Sequence, residues 1–356
     1  MKLIGIHGLA AAGLAVLLVS GLLLGPEAAL HRQAEDAAFR MACGLAAIRA
    51  CAAAAGHAAD PVDDPNGTGI IGLEYSELTT TKGDPAAKRT SAVPDFAALF
   101  VHLYTQAGAR PGEAVAVGAS SSFPAFILAA LAAAETLELK PLLIVSLAAS
   151  QWGANNPRFT WLDMQDCLNR TGIPAIRPVA VSLGGEDDAG GGLSENMRAF
   201  LVSEAGKRGF PLLEETDLER NVSRRMDLYR TAAGDTRIAA FVNIGGGAAN
   251  MGADAGILSL RPGLTSPPPH APPASRGAVH AMADAGVPII HILNIRGLAE
   301  RYGFPWDPVP LPDPGTVNIR GVPVRSPVAF LVLAAAYFIL AGVILFRMRR
   351  KIEGHS

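Results

Sequence analysis

The residues best suited to chemistry in this chain are three consecutive serines in Gly118-Ala119-Ser120-Ser121-Ser122-Phe123-Pro124, directly after the apolar run Ala114-Val115-Ala116-Val117. A hydroxyl at a strand-to-helix turn has three uses. It caps the helix that follows, or it joins the helix N-terminal N–H groups in holding a phosphate or carboxylate. It can also attack a carbonyl, as the serine of a G-x-S-x-G elbow does. Against this last use, Ser122 stands where the elbow has its second glycine. Ser120 or Ser121 as nucleophile, Asp187 and His291 follow one another in the order of Ser-Asp-His hydrolases, and order without geometry is slender support for a triad. A lone histidine inside an apolar strand reads first as a hydrogen-bonded core residue.

Three further loops carry polar or small residues after an apolar run. In Gly184-Gly185-Glu186-Asp187-Asp188-Ala189-Gly190-Gly191-Gly192, the carboxylates either take a metal or orient a base, or, the preferred reading, cap the helix beginning near Ser194. Gly245-Gly246-Gly247-Ala248-Ala249-Asn250 falls short of the dinucleotide spacing G-x-G-x-x-G, because Asn250 takes the place of its last glycine. In Ser150-Gln151-Trp152-Gly153-Ala154-Asn155-Asn156, Trp152 offers a stacking face and Asn155 and Asn156 offer amides; equally, the tryptophan covers a sheet edge. Arg89, Arg158 and Arg296 are carboxylate-pairing candidates. The expected ligand-binding set is therefore Gly118, Ser120, Ser121, Ser122, Trp152, Asn155, Gly184, Gly185, Asp187, Asp188, Gly245, Gly246 and Gly247. No metal-ligand spacing occurs, and no cofactor is assigned.

These loops need a scaffold, and the alternation of patterns supplies one. Apolar runs near 114–117, 142–146, 179–183, 238–244 and 288–293 read as strands, and segments near 124–137, 160–170, 194–208 and 216–232 as helices. Thr160 followed by Asp163 makes a capping box, and Asp95 is expected to cap a helix to about Gly108. Such alternation predicts an α/β fold: a mostly parallel sheet with helices on both faces and the four loops on one edge. Before it, residues 27–56 read as a helix ended by the Asp/Pro/Gly-rich residues 60–67, residues 70–75 as a short strand, and residues 76–81 with 88–90 as a polar connector. Residues 265–273 form a proline-rich linker or exposed loop.

The two ends frame the domain. Residues 326–346 carry no charge and are long enough to cross the hydrocarbon core. Arg347, Arg349, Arg350 and Lys351 follow at once, which sets that end in the cytoplasm. Residues 3–24 are a second apolar run with a poor cleavage site after it, so an uncleaved anchor is expected. The organisation expected is an N-terminal transmembrane anchor over 1–26, a helical stalk and connector over 27–69 and an extracytoplasmic α/β domain over 70–305. A Pro/Gly-rich linker over 306–325, a transmembrane helix over 326–346 and a basic cytoplasmic tail over 347–356 complete it. The formal charge is −2, and without the basic tail the body is more acidic still, so a nucleic-acid partner is excluded and any polyanion contact requires a local basic groove. Cys43, Cys51 and Cys167 are too few for a disulfide framework. Cys43 and Cys51 lie about 12 Å apart along one helix, which leaves structural thiols as the expectation.

The ordered set Ser120-Ser121-Ser122-Phe123-Pro124, Ala132-Ala133-Ala134-Glu135-Thr136-Leu137, Trp152-Gly153-Ala154-Asn155, Thr160-Trp161-Leu162-Asp163 and Val242-Asn243-Ile244-Gly245-Gly246 resembles the bacterial poly-gamma-glutamate system proteins. Gly72-Leu73-Glu74-Tyr75-Ser76-Glu77-Leu78-Thr79-Thr80-Thr81 and Ala87-Lys88-Arg89-Thr90-Ser91 resemble the same family, so the likeness runs over most of residues 70–305. It implies a membrane-anchored accessory component working with other subunits that make or export an anionic polymer, and it brings no catalytic residues with it. Three functions stay open: binding of an anionic small molecule or polymer at the strand ends, a serine hydrolase or transferase acting on γ-glutamyl or ester bonds, and a purely structural subunit.

Overall fold

Ala114-Val115-Ala116-Val117 is apolar on both faces, the pattern of a strand covered on both sides of a parallel sheet, and it lies inside the sheet. The computed structural model describes residues 2–173, 176–266, 272–322 and 327–353. The strands of the main sheet are β1 Ala114–Ser120, β2 Lys140–Ser146, β3 Ala180–Ser182, β4 Leu212–Leu213, β5 Ile238–Ile244, β6 Gly263–Thr265 and β7 Ile289–Ile292. Their spatial order is β4-β3-β2-β1-β5-β7-β6. All neighbours run parallel except β6, which is antiparallel to β7. Chain order proceeds outward from β1 through β2, β3 and β4, then returns to the other side of β1 with β5. That reversal is a topological switch point, where the loops after neighbouring strands part and leave a crevice.

The helices are α1 Lys2–Ala54, α2 Pro85–Ser91, α3 Asp95–Gln106, α4 Pro124–Thr136, α5 Trp161–Thr171, α6 Glu195–Lys207, α7 Leu218–Ala233, α8 Ala248–Met251, α9 Ala278–Asp284, α10 Ile295–Tyr302 and α11 Pro327–Glu353. One sheet face packs Ala114, Ala116, Leu142, Ile144 and Phe241 against Val222, Met226 and Tyr229 of α7 and Val279 and Met282 of α9. On the other side α4 is buried along its length, as a helix that is apolar all round must be. It touches β1 and β2 and is covered by α3, where the Phe96 and Phe126 rings meet edge to face at 4.9 Å. The expected α/β architecture, with helices on both faces of a mostly parallel sheet, is thus observed. The helix-start expectation at Thr160 also holds in its backward half, since Asp163 Oδ2 accepts from the Thr160 N–H at 2.7 Å.

The chain divides into two units, Met1–Arg32 with Val322–Ser356, and Gln33–Gly321. The larger unit extends past both ends of the expected 70–305 domain, for a physical reason at each end. In α1, Ala34, Ala37, Ala38, Met41, Leu45, Ile48 and Ala52 share one helical face and are buried, so this stretch is a packed helix and no free stalk. After α10, Phe304 stacks on Phe96 with centroids 3.9 Å apart, and Asp307 receives Arg89 Nε and Nη2 at 2.6 Å each. Among the described residues, one helix, near the N-terminus, is long and apolar enough to cross a membrane. It is Ala29–Ala54, and of the 18-residue stretch within it that qualifies, 39% is buried. In α11 the apolar described part is the shorter Ala335–Arg347.

Four local expectations are corrected. Residues 70–75 form no strand; the strand is in the polar connector, where Thr79–Thr81 pairs in parallel with Ala149–Ser150. Lys88, Arg89 and Thr90 belong to α2, started by Asp84, whose carboxylate accepts from Ala86 N at 2.9 Å. Asp95 is not a cap. It is buried in the first turn of α3, and its carboxylate accepts from Gly315 N at 3.2 Å and Val317 N at 3.3 Å. Cys51 and Cys167, expected as structural thiols, form a disulfide joining α1 to α5, and Cys43 is free. Of the proline-rich segment 265–273, Thr265 ends β6 and residues 267–271 lie outside the described residues.

Candidate functional site

Four strands end at the switch-point edge, and their loops share a cavity of about 260 Å³. It is lined by Ser120, Ser122 and Phe123 after β1, Ser146, Ala148 and Ser150 from the end of β2 and the segment beyond, Gly184, Gly185 and Asp188 after β3, and Gly246 and Gly247 after β5. Leu293 and the segment Thr80, Thr81 and Lys82 complete the wall. The structure therefore brings together Ser120, Ser122, Gly184, Gly185, Asp188, Gly246 and Gly247 from the expected set. A larger cavity of about 550 Å³ opens beside Ile289 at the start of β7, with Thr265, Arg276, His280 and Asp284 in its wall. None of the four loops reaches it.

The serine loop is organised by its own hydroxyls. Ser120 Oγ donates to Ser122 Oγ at 2.9 Å, and Ser122 Oγ also accepts the Ser150 N–H at 2.9 Å. Ser122 thereby ties the loop after β1 to the segment after β2. Ser121 is fully buried and outside the cavity wall, its N–H bonded to Ser146 O at 3.0 Å. Burial takes it out of reach as nucleophile or ligand.

Lys88 underlies this loop. Its side chain leaves α2, crosses the Phe123 ring with Nζ 3.6 Å from the centroid, and donates to Ser122 O and, at 2.8 Å, to Ser150 Oγ. Only 2% of Lys88 is exposed. Burial penalises the ammonium and pushes its pKa down to about 7, opposed by the charge of Asp84. The amine is thus available in neutral form near physiological pH, within hydrogen-bond reach of a hydroxyl on the cavity wall.

Asp188 closes another side. It adopts a left-handed backbone (φ 62°) that Asp tolerates better than most residues. Its Oδ1 accepts from Ser146 Oγ and Ser182 Oγ at 2.8 Å each, and its Oδ2 accepts from Asn221 Nδ2 at 3.2 Å and from Arg225. Arg225, fully buried on α7, also donates Nε to Asn221 Oδ1 at 2.9 Å and Nη2 to Ser182 Oγ at 3.1 Å. With every oxygen engaged, Asp188 braces the wall as a neutralised anion.

The other expected residues have different work. Asp187 Oδ1 accepts from Ala189 N at 2.9 Å and Gly191 N at 2.7 Å, which shapes the loop. His291 is buried in β7, its Nδ1 3.1 Å from Asn243 Nδ2, and burial lowers its pKa to about 4. Ser120, Asp187 and His291 each bond elsewhere, so the triad suggested by chain order is not assembled. Asn155 holds the 72–79 segment, accepting from Leu73 N and donating to Leu73 O and Thr79 Oγ1, all at 2.8 Å. Trp152 donates Nε1 to Asp63 at 3.0 Å. Gly118 lies inside β1, where an added Cβ would come within 2.5 Å of Asn250 Oδ1, and Gly245 is likewise outside the cavity wall. Arg89 pairs with Asp307, Arg296 covers the Trp306 ring at 4.2 Å, and Arg158 is exposed; the three do not converge on the cavity.

Sequence reasoning passed over Lys88 and Ser150 as a pair, and with them Ser146, Thr80, Thr81 and Lys82. The only sequence signal for Lys88 is its place among small residues in Ala87-Lys88-Arg89-Thr90-Ser91, since nothing local announces that a lysine will be buried. No family model, no curated protein and no solved structure matches this chain.

Proposed function

We propose that this protein is a membrane-anchored accessory component of poly-γ-glutamate synthesis or export, and that its α/β domain lies outside the cytoplasm and binds an anionic, carboxylate-bearing ligand at the strand ends. The observation that carries the binding reading is the cavity itself. It gathers hydroxyls from Thr80, Thr81, Ser120, Ser122 and Ser150 and the cation Lys82 around bare glycine backbone, at the switch point where α/β sheets take their ligands. Hydroxyls and an ammonium are donors a carboxylate takes. The acidic balance of the whole chain makes a local cation the natural place for such a ligand.

The Cys51–Cys167 disulfide supports an outer location, because such bonds persist in oxidising compartments. Two spans, the N-terminal part of α1 and α11, with both termini inside, agree with the basic residues after Phe346. The polymer assignment rests on the family likeness alone. Binding of short γ-linked glutamate oligomers to the full chain in detergent, measured by calorimetry, tests the site. Saturable binding that Lys82→Ala weakens is the expected result, and no binding by folded protein would leave the structural-subunit reading in its place.

A further inference from the structure

We propose that Ser150 and Lys88 form a nucleophile and general-base pair for acyl transfer, opening onto the strand-end cavity and acting on an amide or ester carbonyl. The inference rests on that cavity being a ligand site and adds a reaction to it. Three observations carry it. Lys88 Nζ stands 2.8 Å from Ser150 Oγ, the distance a base needs to take the hydroxyl proton. Ser150 lines the cavity, whereas Lys88 is buried behind it. Finally, the amine is fixed from two further sides, by Ser122 O and by the Phe123 ring at 3.6 Å, so its direction toward Ser150 is held.

Burial that brings the Lys88 pKa to about 7 puts a neutral amine within easy reach, the condition a lysine base requires. When the amine is neutral, the contact reverses and the Ser150 hydroxyl donates to Nζ. As Oγ adds to the substrate carbonyl carbon, the hydroxyl proton passes to Lys88. Collapse breaks the bond from that carbon to the leaving nitrogen or oxygen, and the Lys88 ammonium returns the proton to the leaving group. Water then adds to the acyl carbon, giving one proton to Lys88. The bond to Oγ breaks, and Oγ recovers that proton. The balance is amide or ester plus water to carboxylic acid plus amine or alcohol, with no other reactant. An amine in place of water makes the same pair a transferase. The Ser120 reading lacks such a partner: Ser120 Oγ donates to Ser122 Oγ and accepts the Ser122 N–H, and among the described residues no basic side chain bonds to it.

Substrates of this pair would be acyl groups carrying a carboxylate, which Lys82 and the cavity hydroxyls would hold. The test uses a fluorophosphonate probe on the full chain in detergent, followed by peptide mass spectrometry. The expected result is one adduct on Ser150, forming faster as pH rises through about 7, absent in Ser150→Ala and slowed about 100-fold in Lys88→Met. An adduct on Ser120 or Ser122, no adduct on folded wild-type protein at pH 8, or a rate unchanged by Lys88→Met in folded protein each overturns the pair. Should Lys88→Met fail to fold, the wild-type pH profile decides, and a flat rate between pH 6 and 8 overturns it. The anion reading is judged apart from this: loss of glutamate-oligomer binding with labelling intact strikes that reading alone, and oligomer binding without labelling strikes the pair alone.

Discussion

Arg225 of α7 and Asp188 of the loop after β3 form an ion pair in which the side chains are 0% and 5% exposed. Asp188 is part of the cavity wall, and Arg225 holds it from outside that wall. A charge in such a place is tolerable only while its partner and hydrogen bonds are present.

Removing Arg225 leaves Asp188 as an uncompensated buried carboxylate. Arg225→Met is expected to lower stability by about 3–5 kcal/mol, read as a fall in the urea midpoint at unchanged slope. A change below about 1 kcal/mol would mean that water reaches the pair and screens it.

The Cys51–Cys167 bond closes a loop with a sequence separation of 116. Cys167→Ser is expected to cost about 2–4 kcal/mol. Under non-reducing denaturation, an alkylating reagent should modify Cys43 alone, and modification of all three cysteines in protein taken from its native compartment would refute the bond.

Two buried bases make stability depend on pH, each over its own window. The Lys88 pKa is lowered from 10.5 to about 7, so between those values the unfolded chain holds a proton that the folded one lacks, and stability rises with pH. Below about 7 both states are protonated and the contribution is flat. His291, lowered from 6.5 to about 4, acts in the same direction at lower pH: stability is lost as pH falls from 6.5 to about 4. Each slope is at most about 1.4 kcal/mol per pH unit. The difference in unfolding free energy between wild type and Lys88→Met, and between wild type and His291→Leu, followed across pH, isolates each window. A difference independent of pH in either window removes that group as the cause.

Topology is open to cysteine labelling in a Cys43→Ser background. Glu74 is exposed in the α/β unit and Arg350 is exposed in the C-terminal helix. With the domain outside and the tail inside, a membrane-impermeant maleimide should modify Glu74→Cys in intact cells and reach Arg350→Cys only after permeabilisation. The reverse pattern inverts the orientation.

Gly118 marks the close approach of β1 to Asn250, whose Oδ1 would be 2.5 Å from an added Cβ. Because Asn250 also accepts from the buried Arg225 Nη1 at 3.4 Å, it has little freedom to withdraw. Gly118→Ala is expected to destabilise by about 1–3 kcal/mol, and a neutral effect in thermal unfolding would show that Asn250 yields.

Much of the scaffold was readable along the chain because its causes are local. Strands buried on both faces are continuous apolar runs, as at Ala114–Val117, and helices start at residues able to cap them, as Thr160 and Ser194 show. Alternating strands and helices then imply a parallel sheet, and parallel strands put their following loops on one edge, which groups Ser120, Gly184 and Gly246 from the sequence. Local reading failed at the segment 70–81, where apolar Ile70 and Ile71 suggested a strand and polar Thr79–Thr81 forms it. That strand exists because Ala149–Ser150 is beside it to pair with, and pairing is not a property of the threonines themselves.

The sequence alone determined the central strands β1, β2, β3, β5 and β7 and the helices α4, α5, α6 and α7 between them, and that small polar loops follow those strands. Tertiary structure alone decided which side chains meet. Lys88 and Ser150 lie 62 residues apart, Asp188 and Arg225 37 apart, and Cys51 and Cys167 116 apart. Each meeting depends on the assembled fold, in which β1 lies between β2 and β5 and Lys88 of α2 reaches the serine loop. The same enclosure that brings Lys88 to Ser150 removes water from its amine, so both its partner and its proton affinity arise from burial, a property of the assembled fold.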